Sequence, residues 1–583
     1  MRQELRKQVL GVCQDFFGQE VDLELSLAPD GMGDYATSVA MKLSGKLKKN
    51  PMDVAAELAG EIDHKLSNIK KIEVVNPGFI NITLNDSVVF DNAITAHKDL
   101  NTPLKGQSVV AEYSDPNPFK VLHAGHLYTS LVGDAIANIL KVGGANVHRV
   151  NFGGDVGRHV AMSMYSILQE LGGEHPEKLN NIPKAQQLDW LSDHYVRGNR
   201  AFSSDDQAKD QIQGINQRIY DIHKSNDQQS PLAQIYWKTR QWSYDGFDEL
   251  YKRLGMEPFE KYYPESAVSD LGLKTVKQHL GSVYTESDGA IVFKGEDFGF
   301  FTQVFVNSDG LPTYAGKDVG LIQAKFQDFH YDKSLIITDI SQKDHLAVVM
   351  KSIEQFEPEL ANRTLHYTHG RIKFSDGRKM SSREGNVITA SEVLDATFAE
   401  ATDKDDQVVL GAIRYAFLKN KIGSDISYDP KTSVSLEGNS GPYIQYALVR
   451  AKSILAKVQK EEHCDAQDLE PDERALALSI SRFPDVFDEA ITSYSPHHIC
   501  SYLYELAQEF NRFYEKNRVI GDARSTPRTI LVQAYERVLR TGLWLVSVAR
   551  SWCSLAPLGV WCHTRTVRAW LRPATGVARR LRR

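Results

Sequence analysis

Ser108-Val109-Val110-Ala111-Glu112-Tyr113 leads into Asp115-Pro116-Asn117-Pro118-Phe119-Lys120-Val121-Leu122-His123-Ala124-Gly125-His126. The first run is short, apolar and β-branched, as a buried strand is. After His126 the apolar residues Leu127, Leu131, Val132, Ala135, Ile136, Ile139 and Leu140 recur with a helical period. A strand therefore passes into a helix through a loop that carries two histidines, a glycine and a lysine. Free N–H groups and the positive dipole end meet at such a helix start, which suits an anion. Gly125 lets a ligand approach the backbone closely. Taken alone, His-x-Gly-His equally describes capping or core histidines.

Working outward, Asn146-Val147-His148-Arg149-Val150-Asn151-Phe152 reads as the next strand, followed by the loop Gly153-Gly154-Asp155-Val156-Gly157. Strand, helix, strand predicts a parallel, doubly wound α/β sheet, with ligands beyond the carboxyl ends of its strands. Residues 165–260 are polar and rich in Gln and Asp, and read as an insertion. The α/β pattern is expected to resume at Ala290–Phe293 and Thr302–Val306. Asn307-Ser308-Asp309-Gly310 then forms a hairpin-like turn into Leu311–Tyr314. A helix over 317–326, a buried strand over 334–340, a helix over 345–356 and a last strand over 365–374 follow. That strand leads into a second basic loop, Lys379-Met380-Ser381-Ser382-Arg383-Glu384-Gly385-Asn386. Its small residues suit a clamp that closes on a bound anion.

The flanks differ in character. Residues 1–105 read as a small α+β domain, with a strand over Val21–Leu25 and two strands around Asn76-Pro77-Gly78. Lys46, Lys48 and Lys49 form either a solvated face or a phosphate contact. From about 406 to 545 the chain is helical, with Tyr443, Ile444, Ala447, Leu448, Ala451, Ile454 and Leu455 on one face, as in a helical bundle.

Composition bounds the rest. The chain has 583 residues, 42% hydrophobic and 25% charged, and reads as a soluble, multidomain protein. Its start has no apolar signal core, and no run is long enough to span a membrane. Five scattered cysteines without close pairs point to a reducing compartment and no structural zinc. Net charge is −7. The final stretch, 546–583, holds eight Arg and no Lys, Asp or Glu, so the remainder carries 60 basic against 75 acidic side chains. A nucleic-acid partner would have to be held by local basic patches. The tail, with Trp552, Trp561 and Trp570, reads as a changed reading frame or an RNA-binding extension.

The two loops together resemble the paired HIGH and KMSKS signatures of class I aminoacyl-tRNA synthetases. Within that class, several stretches resemble arginyl-tRNA synthetases. They are Glu112–Lys120, Gly133-Asp134, Asp309–Tyr314 with Lys317-Asp318, Gly441–Ala447, Gly33–Ala36 and Pro77–Ile82. The resemblance implies a Rossmann-type catalytic domain over 106–405, an N-terminal domain (1–105) touching the tRNA elbow and a helical anticodon-binding domain (406–545). It implies ATP with Mg²⁺, L-arginine and tRNA(Arg) as substrates, tRNA bound before activation, and a cytoplasmic monomer. Lys120, His123, His126, Lys379 and Arg383 would be catalytic. ATP would meet His123, Gly125, His126, Lys379, Met380, Ser381 and Ser382. Asn117 and Gln342 would hold the α-amino end of arginine, and Tyr314, Asp318 and Glu265 its guanidinium. Two carboxylates can take that planar fork in paired hydrogen bonds, which an ammonium does not match. Ser382 stands where the general motif has lysine, and Lys120 is expected to compensate.

Overall fold

The computed structural model describes residues 1–29, 31–375, 388–458 and 468–549. They form two compact units, one of Thr102–Ser435 and the other of Met1–Asn101 with the chain from Leu436 onward.

The larger unit is built on a five-stranded sheet. Its strands, in spatial order, are Thr364–His369, Lys333–Asp339, Ser108–Glu112, Asn146–Gly153 and Lys261–Pro264. Every pairing is parallel. In chain order this reads 5-4-1-2-3, the doubly wound Rossmann arrangement, with its topological switch between the first and fourth strands. Ile336 pairs with Glu112 across that switch. The expected strand–loop–helix lies at the centre, with the signature helix spanning Ala124–Val142. That helix packs tightly because Gly133 has no side chain: a Cβ there would stand 2.1 Å from the Tyr113 ring.

Three expectations need correction. Ala290–Phe293 and Gln303–Val306 do not rejoin the main sheet. With Thr285–Ser287 they make a separate antiparallel sheet. The third parallel strand is instead Lys261–Pro264, four residues ending in proline, too short and too weakly patterned to read as a strand. The last strand divides at Gly370 into Thr364–His369 and Ile372–Phe374, and the second piece pairs with Ile426–Tyr428. A Cβ at Gly370 would lie 2.2 Å from the Ser424 carbonyl, so this close crossing requires glycine.

Residues 406–435, expected with the helical bundle, belong to the catalytic unit. The reason is a buried charge. Arg414 on the helix Asp406–Leu418 donates to Asp134 Oδ2 at 3.1 Å and to the Leu254 carbonyl. Both side chains are fully buried, and breaking a buried ion pair of this kind is costly. The insertion is helical, with helices Gln187–Ser204, Asp206–Ser225 and Pro231–Arg253 packed on Arg158–Leu171 around their own apolar core.

In the smaller unit, Ser26–Leu27, Tyr35–Thr37, Phe79–Leu84 and Ile69–Val75 form an antiparallel sheet. Val21–Leu25 is not a strand, and the short strand begins at Ser26. Helices Gly441–Leu455, Pro471–Ser481, Phe483–Ser493, His497–Lys516 and Ser525–Leu545 make the bundle. Arg474 clasps sheet and bundle, with two bonds to Asp34 and one to Asp86, each 2.8 Å. The packed core runs beyond Leu545. Val546, Val548 and Ala549 are buried, and the Val548 carbonyl accepts from Gln445 Nε2 at 2.9 Å. The stretch from Val546 that composition sets apart therefore begins with residues packed in this unit. No helix among the described residues is long and apolar enough to cross a membrane.

Candidate active site

A cavity of about 940 Å³ opens at the switch point of the parallel sheet. Its floor is the carboxyl ends of the first and fourth strands, with Glu112, Ser114, Thr338 and Asp339. One wall is the start of the signature helix. His123 is the N-cap, and its Nδ1 accepts from the N–H groups of Gly125 and His126 at 3.1 and 3.3 Å. His126 reciprocates, its Nδ1 accepting from the His123 N–H at 3.3 Å. The rings stack with centroids 3.7 Å apart. The capping role and the cavity-facing role are thus the same arrangement: with each Nδ1 used as an acceptor, the ring proton of each neutral imidazole sits on Nε2. Burial, with Lys120 next, holds His123 down at about 4. Burial, then His123, pushes His126 well below the usual range. The pair offers two neutral N–H donors rather than two cations.

The loop itself is held in an unusual path. Ser114, Asp115 and Phe119 all have positive φ, at 77°, 49° and 68°, a region that bulky side chains avoid. Neighbours fix it: Asp115 Oδ1 accepts the Phe152 N–H at 2.8 Å, and the Phe119 N–H donates to Ser243 Oγ at 2.9 Å. Burial, with Glu112 beside it, pushes the Asp115 carboxyl well above its ordinary range. The loop after the second strand locks against it. A Cβ on Gly153 would lie 2.6 Å from the Pro116 carbonyl, and one on Gly154 2.6 Å from Asn117 Oδ1. Asn117 Oδ1 accepts the Gly154 N–H at 2.8 Å, keeping a second lone pair and its NH₂ for a ligand.

The opposite wall comes from two helices, Glu265–Gln278 and Tyr314–Phe329. They touch backbone to backbone. A Cβ on Gly272 would fall 1.9 Å from the Gly316 carbonyl, and one on Gly320 2.3 Å from the Val268 carbonyl. This crossing sets Glu265, at one helix start, against the first turn of the other. Glu265 Oε2 accepts from Lys317 Nζ at 2.5 Å, both side chains being almost wholly buried. Burial works against the Lys317 charge, but Glu265 and then Tyr220 outweigh it and raise the ammonium above its usual range. Asp318 Oδ2 takes the Nε2–H of His345 at 2.6 Å, and His345 Nδ1 takes the amide of Gln303 at 2.6 Å. Tyr314 is 61% exposed beside them.

The cavity thus brings together Asn117, His123, Gly125, His126, Glu265, Tyr314, Asp318 and Gln342. Lys120 is not among its lining residues. Its Nζ stands 4.6 Å from the centre of the Tyr195 ring, on an insertion helix. Lys379, Met380, Ser381, Ser382 and Arg383 lie outside the described residues. Sequence reading missed Glu112, His345 and Lys317. The only signal for His345 was its place one turn after Gln342, at a helix start. Among the described residues no three His, Cys, Asp or Glu side chains converge as metal ligands.

A family model described as tRNA synthetases class I (R), catalytic domain, matches residues 91–425, more than half of the chain. The chain belongs to this family. The resemblance read from the two signature loops therefore holds. An arginyl tRNA synthetase N terminal domain model matches residues 1–84, and a DALR anticodon binding domain model matches 444–550. Curated relatives carry the name arginine–tRNA ligase. The protein of Borreliella burgdorferi is 28% identical over 545 residues, covering 88% of this chain and 90% of the relative. That of Phocaeicola vulgatus is 25% identical over 608 residues, covering 94% and 99%. The fold is also that of the Thermus thermophilus arginyl-tRNA synthetase, with a TM-score of 0.76 at 24% identity, covering 94% of this chain and 98% of that one.

Proposed function

We propose that the chain is an arginine–tRNA ligase. It joins L-arginine to ATP as arginyl-adenylate, releases pyrophosphate, and passes the arginyl group to the terminal ribose of tRNA(Arg). The observation that carries this reading is the meeting of two chemically different walls in one cavity at the sheet switch. One wall presents the two imidazole Nε2–H donors and a helix start. The other presents the buried Asp318 carboxylate and Tyr314, and Asn117 of the signature loop and Gln342 also line the cavity.

The chemistry asks little covalent participation of the protein. The arginine carboxylate attacks the α-phosphorus, and negative charge moves onto phosphate oxygens and the leaving pyrophosphate. His123 and His126 donate from Nε2 to those oxygens, already aligned by their caps and so without reorganisation. Lys120 adds a full positive charge nearby, with Lys379 and Arg383 of the second loop as its partners. Gly125 admits the nucleotide close to the helix start, where the loop residues Met380, Ser381 and Ser382 would cover it. Mg²⁺ arrives with ATP, held mainly by phosphate and water. Asn117 and Gln342 hold the α-amino end of arginine, Tyr314 packs on its side chain, and Asp318 takes guanidinium N–H groups. His345 orients the Asp318 carboxylate. A carboxylate placed for a guanidinium is left poorly paired by neutral analogues, which penalises them strongly. Residues 1–105 would contact the tRNA elbow and the helical bundle the anticodon. We take the protein to act as a monomer in the cytoplasm.

The test is aminoacylation of bulk tRNA with each radiolabelled amino acid. Transfer of arginine alone supports the reading. Transfer of another amino acid, or of none, refutes it.

A further inference from the structure

We infer that Lys317 is a positioning residue whose ammonium occupies the Glu265 carboxylate. At this wall the arginine pocket then rests on an electrically neutral pair, and Asp318 supplies the countercharge for the substrate side chain. This deepens the ligase reading and rests on it.

The inference follows from the partners of three of the five acidic side chains that line the cavity, Glu112, Glu265 and Asp318. Glu112 is matched by the buried Lys325. Glu265 is matched by Lys317 at 2.5 Å, with side-chain exposures of only 3% and 5%. Asp318 differs. Its Oδ2 lies 2.6 Å from Nε2 of His345, whose Nδ1 lies 2.6 Å from the Gln303 amide nitrogen. Of these three acidic side chains, only Asp318 has no lysine or arginine partner among the described residues.

Lys317 is also held where it cannot swing away. Its Nζ lies 5.6 Å from the ring centre of Tyr314 and 6.0 Å from that of Tyr220, which the insertion contributes. The glycine crossing of Gly272 and Gly320 fixes the backbones on either side of the pair. Glu265 keeps its second oxygen for the ligand side, where Oε1 would stand 2.9 Å from a Cβ on Gly154. Glu265 can therefore accept one N–H as an oriented dipole, while its charge is already spent. A second cation at this wall would sit beside the Lys317 ammonium, whose repulsion disfavours it.

The full chain is assayed in four forms: wild type, Glu265→Gln, Lys317→Met and the double variant. The readouts are the arginine KM and ATP KM in aminoacylation, with equilibrium binding of L-arginine and its neutral isostere L-citrulline. Glu265→Gln strands the Lys317 ammonium and should raise the arginine KM by on the order of 100-fold. Lys317→Met adds an unmatched buried carboxylate. The double variant removes both charges, leaves none buried unpaired, and is the form whose folding is safest. It should return the arginine KM to within about 10-fold of wild type and keep the preference for arginine over citrulline, with the ATP KM moving less than about 3-fold. A double variant as impaired for arginine as Glu265→Gln would overturn the inference, because arginine would then be using the Glu265 charge directly. Loss of the arginine preference in the double variant would overturn it too. Failure of wild type to transfer arginine refutes the ligase reading instead, and is seen before any variant is compared.

Discussion

Gly272→Ala is the sharpest perturbation of the architecture behind the pocket. Gly272 does not line the cavity, and it lies two helical turns, roughly 10 Å, along the helix from Glu265. A methyl group there would stand 1.9 Å from the Gly316 carbonyl, with 3.2 Å to the Gly320 nitrogen. Ordinary contact for such atoms is about 3.4 Å or more, so the helices must part by roughly 1–1.5 Å. Overpacking of this kind costs about 1–3 kcal/mol. Gly316, Lys317 and Asp318 are consecutive, so the displacement passes directly to the pocket wall. A shift near 1 Å in a positioned group can cost on the order of 100-fold in rate. The expected outcome is a melting transition lowered by a few degrees, an arginine KM raised at least about 10-fold, and an ATP KM changed less than about 3-fold. Parallel measurement of thermal unfolding and both Michaelis constants decides it. Unchanged melting and an unchanged arginine KM would refute the claim that backbone contact at the crossing sets the wall. An equal loss for ATP would show that the damage is not confined to that wall.

Other outcomes follow from the same geometry. Asp318→Asn should raise the arginine KM about 100-fold while leaving the ATP KM nearly unchanged, and equal effects on both would remove Asp318 from the pocket. His123→Asn keeps a capping side chain but removes a proton-linked penalty. His123 is held at about 4 in the fold against 6.5 when exposed, so on acidification the unfolded chain takes up the proton first and wild type loses stability between those values. Relative to His123→Asn, wild type should thus lose about 1–2 kcal/mol between pH 7 and pH 5, read from urea midpoints, and a pH-independent gap would contradict the shift. Asp134→Ala removes the carboxylate that Arg414 bonds at 3.1 Å and that Arg149 also faces, and should destabilise the larger unit by about 3 kcal/mol or more. A loss below 1 kcal/mol in chemical denaturation would mean that the pair is not what holds 406–435 in place.

The central motif was legible because it is local. A strand, a glycine-bearing loop and a periodic helix occupy consecutive residues from Ser108 to Leu140, and the sheet topology follows from them. The errors fall where sequence separation is large. Lys261–Pro264 becomes a strand only because Val150–Gly153 is there to pair with it. Ala290–Phe293 carries a strand pattern but not the identity of its sheet. The Lys317 partner of Glu265, 52 positions away, was equally invisible, because it is set there by glycines that look unremarkable in the chain. His345, Tyr195 and Tyr220 have no local signature, since their importance comes from what they face. The pairing of His123 with His126 was legible, but their lack of charge was not, because desolvation is a property of the packed unit.

That lack of charge divides the work of holding a nucleotide. An imidazole N–H is a dipole, and its pull fades within contact distance, whereas a full charge reaches through about 8–10 Å of physiological salt solution. The stacked histidines therefore do nothing to draw a polyanion out of solution and act only on one already docked. Capture is left to lysine and arginine side chains, and fine alignment to the imidazoles. Raising the ionic strength should weaken the first and spare the second, so the salt dependence of nucleotide affinity should be the same in wild type and His123→Asn even as their turnover differs.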